Sequence, residues 1–216
     1  MRSRDAARFN HDAEAARYDV DVADESHLIR RGYSACLRAL AEDLRRGSGP
    51  DTLPIVELGA GTGALTAQMP PGRPVIAVDI SGAMLDQARA KLRGAIEFVQ
   101  DDLLAWITEQ DGPLGTVAST FALHHLHPDE KRLLIDTLAE RMQPGARLCV
   151  GDLGFANADA QSQMMADPHL DPGVTEAVAV EYFWHWDDAE AQLRGYGFRV
   201  RRRQHGPLIS SLVAVR

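Results

Sequence analysis

Residues 56–63, Val56-Glu57-Leu58-Gly59-Ala60-Gly61-Thr62-Gly63, carry a short apolar run into three glycines at every second position. Glycine reaches left-handed φ values and lets main-chain N–H groups come close to a ligand. At the end of the next apolar run stands Asp79, a carboxylate able to accept from two ribose hydroxyls. Loop and acid together describe a nucleoside site. Gly59, Gly61 and Ala64 also satisfy G-x-G-x-x-A, so a nicotinamide or flavin dinucleotide fits the loop equally well.

Further acids flank the same runs. Glu57 lies two residues before Gly59, and Asp101-Asp102-Leu103 follows a third run, where a carboxylate and a backbone N–H could meet an adenine edge. After a fourth run comes Ser119-Thr120-Phe121-Ala122-Leu123-His124-His125-Leu126. His124 or His125 is a candidate general base, because histidine titrates near neutral pH; both also serve as packing side chains. Adding His127 does not make a metal site: ligand pairs on a helix need i, i+4 spacing, and no cysteine or Glu-x-x-His accompanies them. No metal is expected. Residues Tyr182, Phe183, Trp184, His185 and Trp186 suit a flat or apolar acceptor pocket, or a core plug holding a C-terminal helix. Arg201-Arg202-Arg203 reads as a solvated sheet edge.

These residues need a scaffold that brings strand ends together. Ile55–Leu58, Val75–Val78, Ile96–Val99, Val117–Thr120 and Leu148–Val150 are short apolar or β-branched runs, alternating with helical patterns. Such alternation means a parallel sheet covered by helices. One helix is expected from Ser26 as N-cap to Gly47 as stop, followed by the breaker Gly47-Ser48-Gly49-Pro50. Ala64–Met69 reads as a helix after the glycine loop, Met84, Ala88 and Leu92 as the face of another, and Leu134, Leu138 and Met142 as a third opening at Pro128. Asp187 and Glu190 resemble a capping box, and Phe198–Arg203 with Leu208–Val215 a hairpin around Gly206-Pro207. Five strands and the hairpin make a seven-stranded, mostly parallel sheet. Residues 155–186 hold few long apolar patterns and read as a mobile insertion or lid.

Bulk properties narrow the partners. A chain of 216 residues with 45% hydrophobic content builds one sizeable core, so a single domain over 1–216 is expected. It divides into an N-terminal helical cover (1–50), a binding core (51–154), the insertion (155–186) and a C-terminal helix and hairpin (187–216). A net charge of −8 disfavours nucleic acid and anionic lipid. No apolar run of about 18 residues offers a membrane span, and no apolar run follows the N-terminus, so the expected location is cytoplasmic. Cys36 and Cys149 sit in apolar patterns and read as buried reduced thiols.

From the glycine loop and the acids after strands two and three, in that order, the sequence resembles the class I S-adenosylmethionine-dependent methyltransferases, over roughly Phe9 to Arg216. The resemblance implies an α/β, Rossmann-like fold with helices on both faces and an antiparallel C-terminal hairpin. It also implies S-adenosyl-L-methionine as cofactor, S-adenosyl-L-homocysteine as product and a small-molecule acceptor, in a monomer or homodimer. Residue by residue, Gly59, Ala60 and Gly61 would lie against the methionine part and Asp79 on the ribose, with Glu57 among the cofactor-binding residues. Ile80 and Met84 would sandwich the adenine, Asp102 and Leu103 would meet its edge, and Thr120 would approach the cofactor's amino group. Phe9-Asn10-His11-Asp12 with Tyr18-Asp19 resembles the N-terminal cover, in which Tyr18 would close over the cofactor.

Methyl transfer from a sulfonium needs positioning and water exclusion more than a protein nucleophile. The alternatives are a dinucleotide-dependent oxidoreductase, for which the chain is short, and a non-catalytic scaffold that binds the cofactor without an acceptor. A nucleic-acid methyltransferase would carry an Asn/Asp-Pro-Pro-aromatic segment or a basic face, and neither follows strand four.

Overall fold

A computed structural model of the chain describes residues 1–47 and 52–216. Its centre is a sheet with the order β3-β2-β1-β4-β5-β8-β7. The strands are β1 (Ile55–Leu58), β2 (Val75–Asp79), β3 (Ile96–Gln100), β4 (Val117–Thr120), β5 (Arg147–Phe155), β7 (Arg199–Gln204) and β8 (Ile209–Val215). The first five run parallel, and β8 pairs antiparallel with both β5 and β7. This is the expected seven-stranded architecture, with a two-residue β6 (Trp184–His185) added beside the end of β5.

Alternation along each strand sends side chains into two cores. Val56, Leu58, Val117, Leu148, Val150 and Leu212 enter one, while Ile55, Val75, Ala118, Cys149, Ile209 and Val213 enter the other. Burial on both faces is why these strands read as unbroken apolar runs. Helices α4 (Leu103–Glu109), α5 (Pro128–Arg141) and α8 (Trp186–Gly195) cover the first face. On the second lie α1 (Tyr18–Ala23), α2 (Tyr33–Arg45), α6 (Ala158–Met165) and α7 (Pro172–Val180). Helix α3 (Gly82–Lys91) packs beside β2 and β3, its N-cap Ser81 accepting from Met84 N at 3.1 Å. Both cysteines are buried and free.

Several expectations are corrected. The first long helix begins at Tyr33, not Ser26, because Gly32 takes φ 102° against the His205 backbone, and Glu25 accepts from Gly32 N and Ser34 N at 2.9 Å each. Of its expected breaker, Ser48, Gly49 and Pro50 lie outside the described residues. Residues 64–69 form only a short turn with a 3-10 segment at Thr66–Gln68, because Met69 precedes Pro70 and is forced extended. Helix α4 was hidden, although Asp102 caps it by accepting from Ala105 N at 2.8 Å. Strand β5 runs on to Phe155, and residues 156–183 hold two helices, with Val174 fully buried.

The capping-box pair and the arginine triplet also do other work than expected. Asp187 and Glu190 pair with Arg202 at 2.9 and 3.0 Å. On the opposite face Arg201 and Arg203 reach the buried Asp43 of α2 at 2.7 and 3.6 Å. Strand alternation is present on the edge strand β7, where Arg201 is solvent-exposed as expected, and the triplet also fastens a helix to each face. Among the described residues, no helix is long and apolar enough to cross a membrane.

Candidate active site

The chain passes from β1 to β2 on one side and from β4 to β5 on the other, so the connections after β1 and β4 lead in opposite directions and leave a crevice at the strand ends. Gly59 and Gly61 line it with φ 74° and 53°. A Cβ on Gly59 would stand 2.2 Å from that of Ala122, so glycine here lets the two loops touch. A Cβ on Gly61 would meet nothing within 4 Å, which leaves its backbone facing open space. Asp79 fixes this geometry by accepting from Gly61 N at 2.7 Å and Ser81 N at 2.8 Å. Each carboxylate oxygen keeps a further lone pair for a ligand. Burial raises the Asp79 pKa, against the pull of those two hydrogen bonds.

Gly59, Ala60, Gly61, Asp79, Ile80 and Met84 line the pocket together with Tyr18, Asp102, Leu103, Thr120 and His125. Two candidates fall elsewhere. Glu57 is fully buried beneath the loop, where Thr66 Oγ1 donates to it and burial pushes its pKa up to about 8. Although expected among the cofactor-binding residues, it does not line this pocket. His124 lies behind His125 and opens onto an adjoining cavity. Asp102 lines the pocket and Asp101 does not, although the Asp102 carboxylate already accepts from Ala105 N, Ser3 N and Ser3 Oγ.

His124 is held by a buried acid that sequence spacing does not reveal. Asp152, on β5, accepts from His124 N at 2.9 Å and stands 2.5 Å from His124 Nδ1. Leu153 N and Trp184 Nε1 complete its shell at 2.8 and 3.1 Å. A carboxylate only accepts, so Nδ1 carries the hydrogen and Nε2 is left as a basic lone pair. Burial lowers the His124 pKa, and the Asp152 charge with its hydrogen bond more than offsets this, leaving it raised. His125 is the opposite case: burial, then the neighbouring His124, hold it far below the ordinary value. Glu181 lies 3.9 Å from His124 Nε2, and its carboxylate and both histidine rings offer ligand atoms within 4.8 Å of one another.

The aromatic cluster is divided by its surroundings. Trp184 and Trp186 stack at 5.3 Å inside the core, Phe183 packs at 5.7 Å on Phe155, and Tyr182 stacks at 3.9 Å on His127. The N-terminal segment then crosses above the pocket. Asp5 accepts from Tyr182 Oη at 2.8 Å, Asp12 from Ser81 Oγ at 2.6 Å, and Phe9 stacks at 4.0 Å on His125. Phe121, at φ 49°, is strained into place between Gly151 O, which accepts from its N–H at 2.9 Å, and the Tyr33 ring at 4.7 Å.

Comparison with known proteins bears on this geometry. Residues 55–145 match a family model described as a methyltransferase domain. The uncharacterized methyltransferase YrrT of Bacillus subtilis (strain 168) is 30% identical over 209 residues, 94% of each chain. Another, GK2543 of Geobacillus kaustophilus, is 25% identical over 212 residues, 96% of this chain and 95% of that one. Among solved structures, a DhpI-SAM-HEP complex superposes with a TM-score of 0.71 at 19% identity, covering 98% and 97% of the two chains. Magnesium protoporphyrin IX methyltransferase (ChlM) from Synechocystis PCC 6803 with bound SAM does so at 0.65 and 20% identity, covering 98% and 94%. The oxidoreductase alternative falls with this: the loop leads to a three-residue 3-10 segment, not to the α-helix N-terminus that holds a pyrophosphate. Sequence relationship along nearly the whole chain and the crevice at its strand ends together assign it to the class I S-adenosylmethionine-dependent methyltransferases.

Proposed function

We propose that the protein transfers a methyl group from S-adenosylmethionine to an oxygen or nitrogen of a small molecule, with His124 as general base and Asp152 as its positioning residue. The observation that carries this is the pair of adjoining cavities, one at the glycine loop and one at His124, which share His11, Tyr18, Tyr33, Phe121 and His125. The first fits the cofactor. Gly61 leaves a cradle that a side chain would fill, Asp79 offers its carboxylate to a diol, and Ile80, Met84 and Leu103 supply apolar walls for a flat base.

When bound, S-adenosylmethionine supplies a methyl on a positive sulfur that leaves as the thioether of S-adenosylhomocysteine. The acceptor forms the new bond to that methyl carbon, and the electron pair of the broken C–S bond stays on sulfur. The acceptor's proton passes to His124 Nε2, whose ring Asp152 holds in the tautomer that can take it. Tyr18 and Phe9, on the N-terminal cover, exclude water from the junction. His125 is held neutral and serves as a wall.

Calorimetric titration of the purified protein with S-adenosylmethionine, S-adenosylhomocysteine and NADH tests the first cavity. Micromolar binding of the first two is expected; binding of NADH alone sinks the proposal. For the second, release of S-adenosylhomocysteine is measured with a panel of small hydroxyl and amine acceptors against duplex DNA and RNA. Turnover confined to nucleic acid would overturn the assignment of the acceptor.

A further inference from the structure

The second cavity contains a cation that the reaction above does not use. Arg30 lines it together with Tyr33, Phe121, His124, Leu153 and Glu181. Its place in the chain is rigid: Arg30 N donates to His27 O and Tyr33 N to Arg30 O, both at 3.0 Å. Two residues on, Gly32 is wedged against His205, and a Cβ on Gly206 would stand only 1.7 Å from Arg31 O. Arginines elsewhere in this fold reach carboxylates, as Arg4, Arg201 and Arg202 do. Arg30 is half-buried, yet its guanidinium has no hydrogen-bond or ion-pair partner among the described residues. A half-buried guanidinium that no acceptor meets is available to a ligand, and a planar carboxylate matches it with two parallel N–H···O bonds.

We propose that the acceptor is a small carboxylic acid in its ionised form, anchored by Arg30 with its nucleophilic atom turned toward His124. This rests on the methyltransferase reading of the first cavity. A carboxylate is favoured over a phosphate by the charge available. One guanidinium balances one negative charge, while Glu181 on the same wall repels a second. The phenols of Tyr18 and Tyr33 stand at the junction as further donors to the acid.

The test uses the full chain loaded with S-adenosylhomocysteine. Small carboxylates from 3-hydroxypropionate to 4-hydroxybenzoate, each with its primary amide, are examined by ligand-observed NMR. At least one acid should bind more than about tenfold better than its amide, and Arg30→Gln should weaken that acid by roughly 10- to 100-fold. Affinity of the variant for S-adenosylhomocysteine should stay within about twofold, which also shows that it is folded. The proposal is overturned if no acid binds, if amides bind as well as acids, or if Arg30→Gln instead loses S-adenosylhomocysteine. Failure of the unmodified protein to bind S-adenosylhomocysteine at all would instead remove the methyltransferase reading beneath it.

Discussion

The two halves of the site are built by different means. On the cofactor side, the lining from Gly59 to Leu103 comes from one stretch of chain, at loops that follow β1, β2 and β3, and Gly59 and Gly61 offer backbone alone. On the acceptor side, Arg30 with Tyr33, His124, Leu153 and Glu181 come from four separate places in the chain. A backbone cradle is set by φ values and close approaches that tolerate few substitutions. Side chains on distant elements can be exchanged one at a time. One scaffold can thus keep a cofactor while its acceptor changes.

That contrast breaks most visibly at Asp79. Its carboxylate both pins Gly61 and faces the pocket. Asp79→Ala should weaken S-adenosylhomocysteine by roughly 100- to 1000-fold, since hydrogen bonds to a charged group contribute about 1.5–3 kcal/mol each. Asp101→Ala, off the pocket wall, should change it by less than about twofold. Calorimetry on both variants decides. Equal effects would mean that position along the strand end, not the pocket, is what matters.

The acceptor side should respond in rate and leave cofactor affinity alone. His124→Gln is expected to lower turnover about 100-fold, the usual contribution of a general base, with S-adenosylhomocysteine affinity within about twofold. Because the His124 pKa is raised and the base must be neutral, activity should climb with pH along a limb above the ordinary histidine value. Asp152→Asn should move that limb down, as removing the carboxylate leaves burial opposed only by the weaker pull of Glu181. Imidazole NMR provides the same readout without an acceptor, with His124 titrating high and His125 remaining neutral. A limb that stays put in Asp152→Asn would sink the positioning role.

The contrast also explains what could be read from the sequence. Gly59, Gly61, Asp79 and Asp102 are legible because a strand, a tight turn and the next strand's end recur at short local spacings. The central strands stand out because both faces are buried. Asp152 was hidden inside an apolar run that looked like strand interior, and Glu181 inside a segment with no clear pattern. Arg30 is obscured because the apolar pattern carries the helix back to Ser26, and nothing local announces that Gly32 must turn left-handed against His205. Long-range closeness of that kind is a property of packing and leaves no periodic trace.

Glu57 tests the boundary between the halves most finely. By spacing it belongs with the cofactor loop, yet it is buried beneath the loop, with Thr66 donating to one oxygen and the other unpartnered. Its folded pKa of about 8 lies above the ordinary 4.5, so the folded state keeps a proton that the unfolded chain releases first. The stability gained is therefore complete below about pH 4.5 and is lost as pH rises toward about 8. Glu57→Gln carries a permanent neutral amide and should flatten this slope, so that the variant melts higher than the parent at pH 8 and close to it at pH 5. Its affinity for S-adenosylhomocysteine at pH 6.5 should stay within about threefold. A tenfold loss there, with an unchanged melting profile, would return Glu57 to the binding surface and make the cofactor half as dependent on side chains as its neighbour.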